Sequence, residues 1–380
     1  MPNVTKTMLL FKTYPKLKGR IPWMPLGDFP TPVQKLDNLG GKTGAGSLYI
    51  KQDDLSSKIY GGNKVRKLEF LLAEAKQRGA NTLITRGGIG SNFSLATTIH
   101  GQRLGMRTIL LLTDHPTSES AKKNMLLDYY HQAKMVKTCG WLRRFKIGYQ
   151  FLANINLLKC KLPYYIPIGG SSELGNLGFV NAAFELKKQI ETGVLPEPDY
   201  LFVAAGSLGT FCGLWLGCRL ANLKTKVIGV NISNANTKRA ANEINHICQY
   251  LQKKDSGFPQ LRVADADLTI LQDYRGERYA QFTKEGMEAI LLMHSLEKIK
   301  LEGTYTGKTL AGALDYIKKN HLEDKVILFW NTYNSVDLSH LIKNIDYRKL
   351  PPHFHKYFEL PNQEFEAPLP SNSIRGIKNA

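Results

Sequence analysis

The chain has 380 residues and a formal net charge of +19, from 51 Lys and Arg against 32 Asp and Glu. Hydrophobic residues make up 43% of it and charged residues 22%, the balance of a globular protein with a sizeable core, which excludes the disordered and fibrous classes. Apolar runs fall short of the roughly 18–20 residues that span a bilayer. "MLLF" near the start is too short for the apolar core of a signal peptide, so an intracellular, cytoplasmic protein without membrane insertion is expected.

The basic excess is spread along the chain, with modest local density only in Trp141–Lys161. It carries no recognition-helix pattern, zinc finger or aromatic-glycine RNA motif, so the expectation is non-specific electrostatic attraction and no specific nucleic-acid partner. Five cysteines (Cys139, Cys160, Cys212, Cys218, Cys248) are scattered without a C-x-x-C pair. They read as reduced thiols, and neither they nor the nine histidines have metal-ligand spacing.

In chain order, Ser47–Gln52 reads as a strand, and Asp53-Asp54 after it as a turn. Val65, Leu68, Leu72 and Ala75 keep helical spacing and stop near Gly79. Thr82–Thr85 is a short strand, Asn92 to Leu104 a helix and Arg107–Thr113 another strand. Asp199–Gly206, a helix after Gly209, Lys226–Ile232 and Lys325–Thr332 repeat the rhythm. Strands rich in Val, Ile and Leu separated by helices imply parallel α/β architecture. Two βαβ blocks, near residues 80–113 and 199–232, suggest two α/β domains with a ligand cleft between them. From Arg348, "KLPPHF" and "APLPSNS" read as an extension without a core of its own.

Three loops could carry chemistry. "RGGIGSN" (Arg86 to Asn92) and "AAGSLGTFCGL" (Ala204 to Leu214) sit where strands meet helices. A dinucleotide fingerprint fails, since Phe93 stands where the third glycine belongs and the strand after the second loop leads into Asn231, not an acidic residue. A nucleoside-triphosphate loop is excluded too, because G-x-x-x-x-G-K-[ST] does not occur. Gly206-Ser207-Leu208-Gly209-Thr210 does suit one phosphate monoester, held by backbone N–H groups and two hydroxyls. The third loop, Gly61-Gly62-Asn63-Lys64, adds a lysine amine. An amine for an aldehyde and a loop for a monophosphate together are what pyridoxal phosphate requires. By contrast Arg66 and Lys67 read as a solvated helix start, and His100 as structural or solvated.

The ordered blocks "FPTPVQKL", "KQDDLSS", "GGNKVRKLEFLLAEA", "GANTLITRGGIGSN", "IPIGGSSELGNLGFVNAAFEL", "AAGSLGTFCGL" and "GTYTGKTLAG" resemble the D-cysteine desulfhydrase and 1-aminocyclopropane-1-carboxylate deaminase family of fold-type II pyridoxal-phosphate enzymes, from about Pro30 to Thr332. The resemblance implies a tryptophan synthase β-like fold with the cofactor between two parallel-sheet α/β domains. A large cofactor-binding domain (1–64 and 178–347), a small α/β domain (65–177) and an extension (348–380) would follow, in a homodimer acting on a small amino acid. It also implies roles. Lys64 would form the Schiff base and shuttle the substrate's α-proton, and Asn92 would bond the cofactor's ring oxygen. Gly206, Ser207, Leu208, Gly209 and Thr210 would cradle the phosphate, with Thr332 near the pyridine nitrogen. Ser91, Tyr279 and Tyr305 would be catalytic, and Asn63, Ser91, Asn92 and Phe93 would meet the substrate. Taken alone, the two tyrosines would read as packing residues.

Aminocyclopropane carboxylate has no α-hydrogen, and the deaminases carry Glu directly after the second tyrosine, against the pyridine ring. This chain has Thr306 there, which favours β-elimination from D-cysteine to pyruvate, ammonia and hydrogen sulfide. The deaminase activity is the alternative. Departures from the family pattern at Gly90, Phe93, Glu277, Arg278, Tyr333 and Asn334 fall near the substrate, and motivate a third reading, a cofactor-binding protein drifted to a regulatory role.

Overall fold

A computed structural model of the chain describes residues 8–138, 143–153 and 161–366. Cys139, Cys160 and parts of the basic Trp141–Lys161 stretch lie outside the described residues. In chain order the strands are β1 (Val33–Lys35), β2 (Ser47–Gln52), β3 (Thr82–Gly88), β4 (Arg107–Thr113), β5 (Lys134–Lys137), β6 (Tyr164–Ile166), β7 (Tyr200–Ala205), β8 (Lys226–Asn231), β9 (Thr269–Leu271) and β10 (Val326–Asn331). They form a six-stranded sheet in the order β1-β2-β10-β7-β8-β9 and a four-stranded sheet in the order β5-β4-β3-β6. Only β1 runs antiparallel to its neighbour. β2 and β10 pair along their whole lengths, Ser47 opposite Val326 through Gln52 opposite Asn331.

This topology gathers the loops of interest. Ligands of open parallel sheets sit beyond the carboxyl ends of the strands. Asp53–Lys64 follows β2, Gly90–Asn92 follows β3, Gly206–Thr210 follows β7 and Thr332 follows β10. β3 runs three residues further than expected, so Gly87 and Gly88 belong to the strand rather than to a loop.

Three helices carry the site: Lys64–Gln77, Glu173–Glu191 and Gly209–Leu220. Their contact is close enough to need glycine. A Cβ on Gly178 would stand 2.2 Å from the Arg66 carbonyl oxygen. Phe179, Phe211 and Trp330 are fully buried around this junction, each worth roughly 1.5–3 kcal/mol relative to exposure.

The first correction concerns Arg66, which is buried and not solvated. Its guanidinium donates to Asp53 at 2.9 and 2.7 Å and to Glu185 at 2.9 and 2.9 Å. Lys51 Nζ reaches Glu185 Oε1 at 2.5 Å, and Trp330 Nε1 donates to Asp53 Oδ2 at 2.8 Å. Two cations thus balance two carboxylates inside the core, a paired and fully bonded arrangement that low dielectric demands. Burial opposes the charge of Glu185, but Arg66 and Lys51 outweigh it and hold its carboxyl at about 2. The Asp53 turn is therefore also an anchor for the start of the Lys64–Gln77 helix.

The extension, expected to have no core of its own, packs onto the core of another element. It shares a core with the four-stranded sheet, since Leu350, Phe354 and Tyr357 are buried in one cluster with Ile89, Leu110, Leu112, Met125 and Met135. Cys212, Cys218 and Cys248 are buried free thiols. His100 is buried, its Nε2 3.0 Å from the Tyr60 carbonyl oxygen. Among the described residues there is no metal-ligating cluster and no helix long and apolar enough to cross a membrane.

Candidate active site

A cavity of about 330 Å³ opens where these strand ends meet. It is lined by Asn63, Lys64, Ser91, Asn92, Phe93, Gly206, Ser207, Leu208, Thr210, Tyr279, Tyr305 and Thr332, which is all of the expected site residues except Gly209. Gly209 opens the helix at the cavity's edge. A second cavity of about 850 Å³ shares Tyr60, Asn92, Glu302, Tyr333 and Asn334 with it.

Lys64 is the first residue of its helix and, among the described residues, has neither a hydrogen-bond nor a salt-bridge partner. Burial lowers its amine to about 8, with Glu302 pulling the other way. An unpaired amine that loses its proton near neutral pH is a competent nucleophile and base.

The same cavity holds an uncapped helix start. No side chain caps the Gly209–Leu220 helix, whose N-cap Leu208 adopts a left-handed φ of 69°. A leucine there costs about 1–3 kcal/mol, a strain that persists where function fixes the backbone. Ser207 Oγ lies 2.8 Å from Ser171 Oγ, and Thr210 Oγ1 accepts from Asn63 Nδ2 at 3.0 Å. The second correction falls here. Lys67, expected in solvent, is buried beneath the loop and donates to the Gly169 carbonyl oxygen at 3.1 Å and Ser171 Oγ at 2.9 Å. A methyl on Gly209 would stand 2.0 Å from Asn176 Oδ1 and 2.5 Å from Lys67 Nζ, so only glycine lets backbone and ammonium approach. Burial, then the nearby Lys64, push the Lys67 ammonium well below its usual value. It has no carboxylate partner among the described residues, so a bound phosphate would supply the missing counter-charge. Uncapped N–H groups, hydroxyls and a buried lysine, with a second, unpaired lysine amine in the same cavity, fit pyridoxal phosphate.

The remaining groups surround the space between. Ser91 Oγ accepts from Ser94 N and caps the Asn92–Arg103 helix. Asn92 Oδ1 accepts from Asn124 Nδ2 at 2.9 Å, which leaves Asn92 Nδ2 to donate. Phe93 is buried, its ring edge 2.8 Å from where a Cβ on Gly170 would be. The Tyr279 and Tyr305 hydroxyls share a hydrogen bond, and burial raises the pKa of both, so the pair keeps its protons. Asn63, expected beside the substrate, lines the cavity and donates its amide to the Thr210 hydroxyl.

Sequence reasoning missed two more groups. Glu302 lines the cavity while accepting backbone N–H bonds from Thr304, Tyr305 and Thr306 at the start of the Thr306–Lys319 helix. Burial raises its pKa in spite of those bonds. The acidic residue just before a helical run was the available signal. Thr306 itself is buried, its hydroxyl bonded to Glu302, and it does not line the cavity. His115, on the β4 loop, accepts from Gly90 N at 2.8 Å through Nε2, with Nδ1 2.8 Å from the Pro116 carbonyl oxygen. Its ring meets Tyr279 edge-on, centroids 6.2 Å apart.

Two α/β sheets with a lysine amine and an uncapped helix start in one cavity at their carboxyl ends form the architecture of the fold-type II pyridoxal-phosphate enzymes. The chain belongs to the pyridoxal-phosphate dependent enzyme family, whose model matches residues 24–332. It is 36% identical over 320 residues to the D-cysteine desulfhydrases of Klebsiella pneumoniae (strain 342) and Salmonella schwarzengrund (strain CVM19633), covering 82% of this chain and 94% of each relative. Among solved structures, an ACC deaminase homologue superposes with a TM-score of 0.72 at 32% identity, covering 85% of this chain and 94% of that one. A fungal L-serine ammonia-lyase from Rhizomucor miehei shares the fold, with a TM-score of 0.56 at 15% identity over 84% of this chain and 98% of its own.

Proposed function

We propose that this chain is a lyase that removes the β-substituent of a small D-amino acid, D-cysteine foremost, releasing pyruvate, ammonia and hydrogen sulfide. The observation that carries the reading is the unpaired, desolvated Lys64 amine facing the Ser207–Thr210 cradle in one cavity. The name shared by the relatives supports the substrate. When bound, pyridoxal phosphate supplies an electron sink that acidifies the substrate's α-hydrogen.

The chain's own groups would divide the remaining work. Lys67, Ser207, Thr210 and the start of the Gly209–Leu220 helix hold the phosphate end. Asn92 donates from Nδ2 at the middle of the cavity. The substrate carboxylate suits the start of the Asn92–Arg103 helix, where Ser91 adds a hydroxyl and Phe93 a wall. Lys64 takes the α-proton, its pKa of about 8 lying near the operating range of a general base. The Tyr279–Tyr305 pair holds a proton for the departing sulfur, and Thr332 offers a hydroxyl at the end of β10. A hydroxyl at Thr306 bonded to Glu302, where the deaminases carry a carboxylate, favours elimination over opening of a cyclopropane ring. A cytoplasmic homodimer completes the reading. Three buried free thiols suit a reducing compartment, and sedimentation would measure the assembly.

The test is keto-acid formation from a panel of D- and L-amino acids and aminocyclopropane carboxylate. Equimolar pyruvate and sulfide from D-cysteine is the expected result. 2-Oxobutyrate from aminocyclopropane carboxylate, with nothing from D-cysteine, would replace the reading with the deaminase one. Silence across the panel would overturn both.

A further inference from the structure

The family match ends at residue 332, yet the extension beyond Arg348 reaches the loop that carries Tyr279, a residue lining the active-site cavity. Anchored by Leu350, Phe354 and Tyr357 on the four-stranded sheet, it passes along Leu360 and Pro361 and arrives at Gln363. There it makes three hydrogen bonds with two different loops. Gln363 N donates to the Thr117 carbonyl oxygen at 3.2 Å, on the loop that carries His115. Its side chain accepts from Phe282 N at 2.6 Å and donates to the Ala280 carbonyl oxygen at 3.1 Å, on the loop that carries Tyr279.

We propose that Gln363 is a positioning residue for the active site, stapling the Tyr279 loop to the His115 loop and so fixing where the Tyr279 phenol stands. The loop has a reason to need it. Ala280 sits at φ 63°, in the left-handed region, where a glycine would rest without strain. A primary amide that both donates and accepts pairs the two backbone groups flanking Gln281, much as a neighbouring strand would. On its other side the loop is fastened by Lys308 Nζ, 2.6 Å from the Arg275 carbonyl oxygen. Tyr279 is thereby held between the edge of His115 and the Tyr305 hydroxyl. The same strap also reaches the Glu119–Tyr130 helix, where Glu366 Oε1 accepts from Glu119 N at 3.0 Å and Asn362 Nδ2 donates to Glu119 Oε1 at 2.7 Å. That helix supplies Asn124, which holds Asn92. The extension therefore steadies both sides of the cavity.

The inference rests on the proposed function only in treating Tyr279 as catalytic, so its test has one arm that needs no turnover. In full-length Gln363→Ala, amide exchange across residues 276–282 should quicken by about tenfold or more while β7 keeps its protection. In the cofactor-loaded enzyme, kcat on D-cysteine should fall about 10- to 100-fold with KM nearly unchanged, as displacement of a catalytic group predicts. Gln363→Glu keeps the acceptor for Phe282 N and loses the donor to Ala280, so it should fall between the two. Unchanged exchange at 276–282, or equal loosening of every segment, overturns the proposal. A wild-type enzyme inert towards D-cysteine counts against the substrate reading alone, because the exchange arm still decides the staple.

Discussion

The side-chain amide of Asn63 donates to the Thr210 hydroxyl across 3.0 Å, tying the residue before the reactive amine to the first turn of the phosphate cradle. The two loops proposed to hold the cofactor are thus joined by a direct bond, 147 residues apart in sequence. Asn63→Ala should weaken cofactor affinity by about three- to tenfold, the worth of one neutral hydrogen bond, with little change in kcat at saturating cofactor. Titration of the cofactor-free protein by absorbance measures it.

Lys64→Arg keeps a cation but removes the amine that can attack an aldehyde. Borohydride should then leave no cofactor fixed to the chain, and turnover should fall by at least about 10²–10⁴-fold. Peptide mapping of reduced wild-type protein should find the label on Lys64. A label elsewhere would dismiss the assignment.

The same amine sets a pH dependence. Its pKa is lowered to about 8, so it is protonated and unreactive below that value and free above it. The rate at which cofactor-free protein takes up pyridoxal phosphate should rise with pH and level off above about 8. Stopped-flow absorbance from pH 6 to 10 would show this. A flat profile would mean that the amine is not the group titrated.

Lys67→Met separates binding from folding. Losing a charge-assisted contact to phosphate should weaken the cofactor about 10- to 100-fold. The cofactor-free protein should lose little stability, because the change also removes a buried amine that has no salt-bridge partner among the described residues. Calorimetry with and without cofactor distinguishes these effects from general damage.

The Arg66 cluster behaves oppositely. Arg66→Met leaves Asp53 and Glu185 with Lys51 as their remaining cation and should cost about 3–5 kcal/mol in urea denaturation. Burial works against the Glu185 carboxylate, but its cations lower it from the ordinary 4.5 to about 2. Between those values the unfolded chain binds more protons than the folded one, so stability rises with pH and is lost as pH falls from 4.5 towards 2. Glu185→Gln should flatten the acid limb over that window.

Much of this was legible in the residues, and the exceptions share a cause. β2 and β4 begin and end at the residues where their apolar runs do. Lys64, Ser91 and the Gly206–Thr210 loop stood out because glycine and hydroxyl spacing is local. The strands β1, β6 and β9, three residues each, are too short to show a period. Arg66 and Lys67 looked like any wet helix start because most of what buries them comes from elsewhere in the chain, Glu185 for Arg66 and Gly169 and Ser171 for Lys67. His115 and Gln363 were hidden for the same reason, since a loop residue's role depends on which other loop the topology sets beside it.

Helix ends ordinarily fray, and a group on the first turn wanders with them. Lys64 stands on such a turn, two residues before Arg66. Unwinding that turn would pull a guanidinium away from two buried carboxylates, so the end of this helix is held as firmly as a helix middle. The amine is aimed by a neighbour that never meets the substrate, and heat should unfold the core around Arg66 before it loosens Lys64 alone.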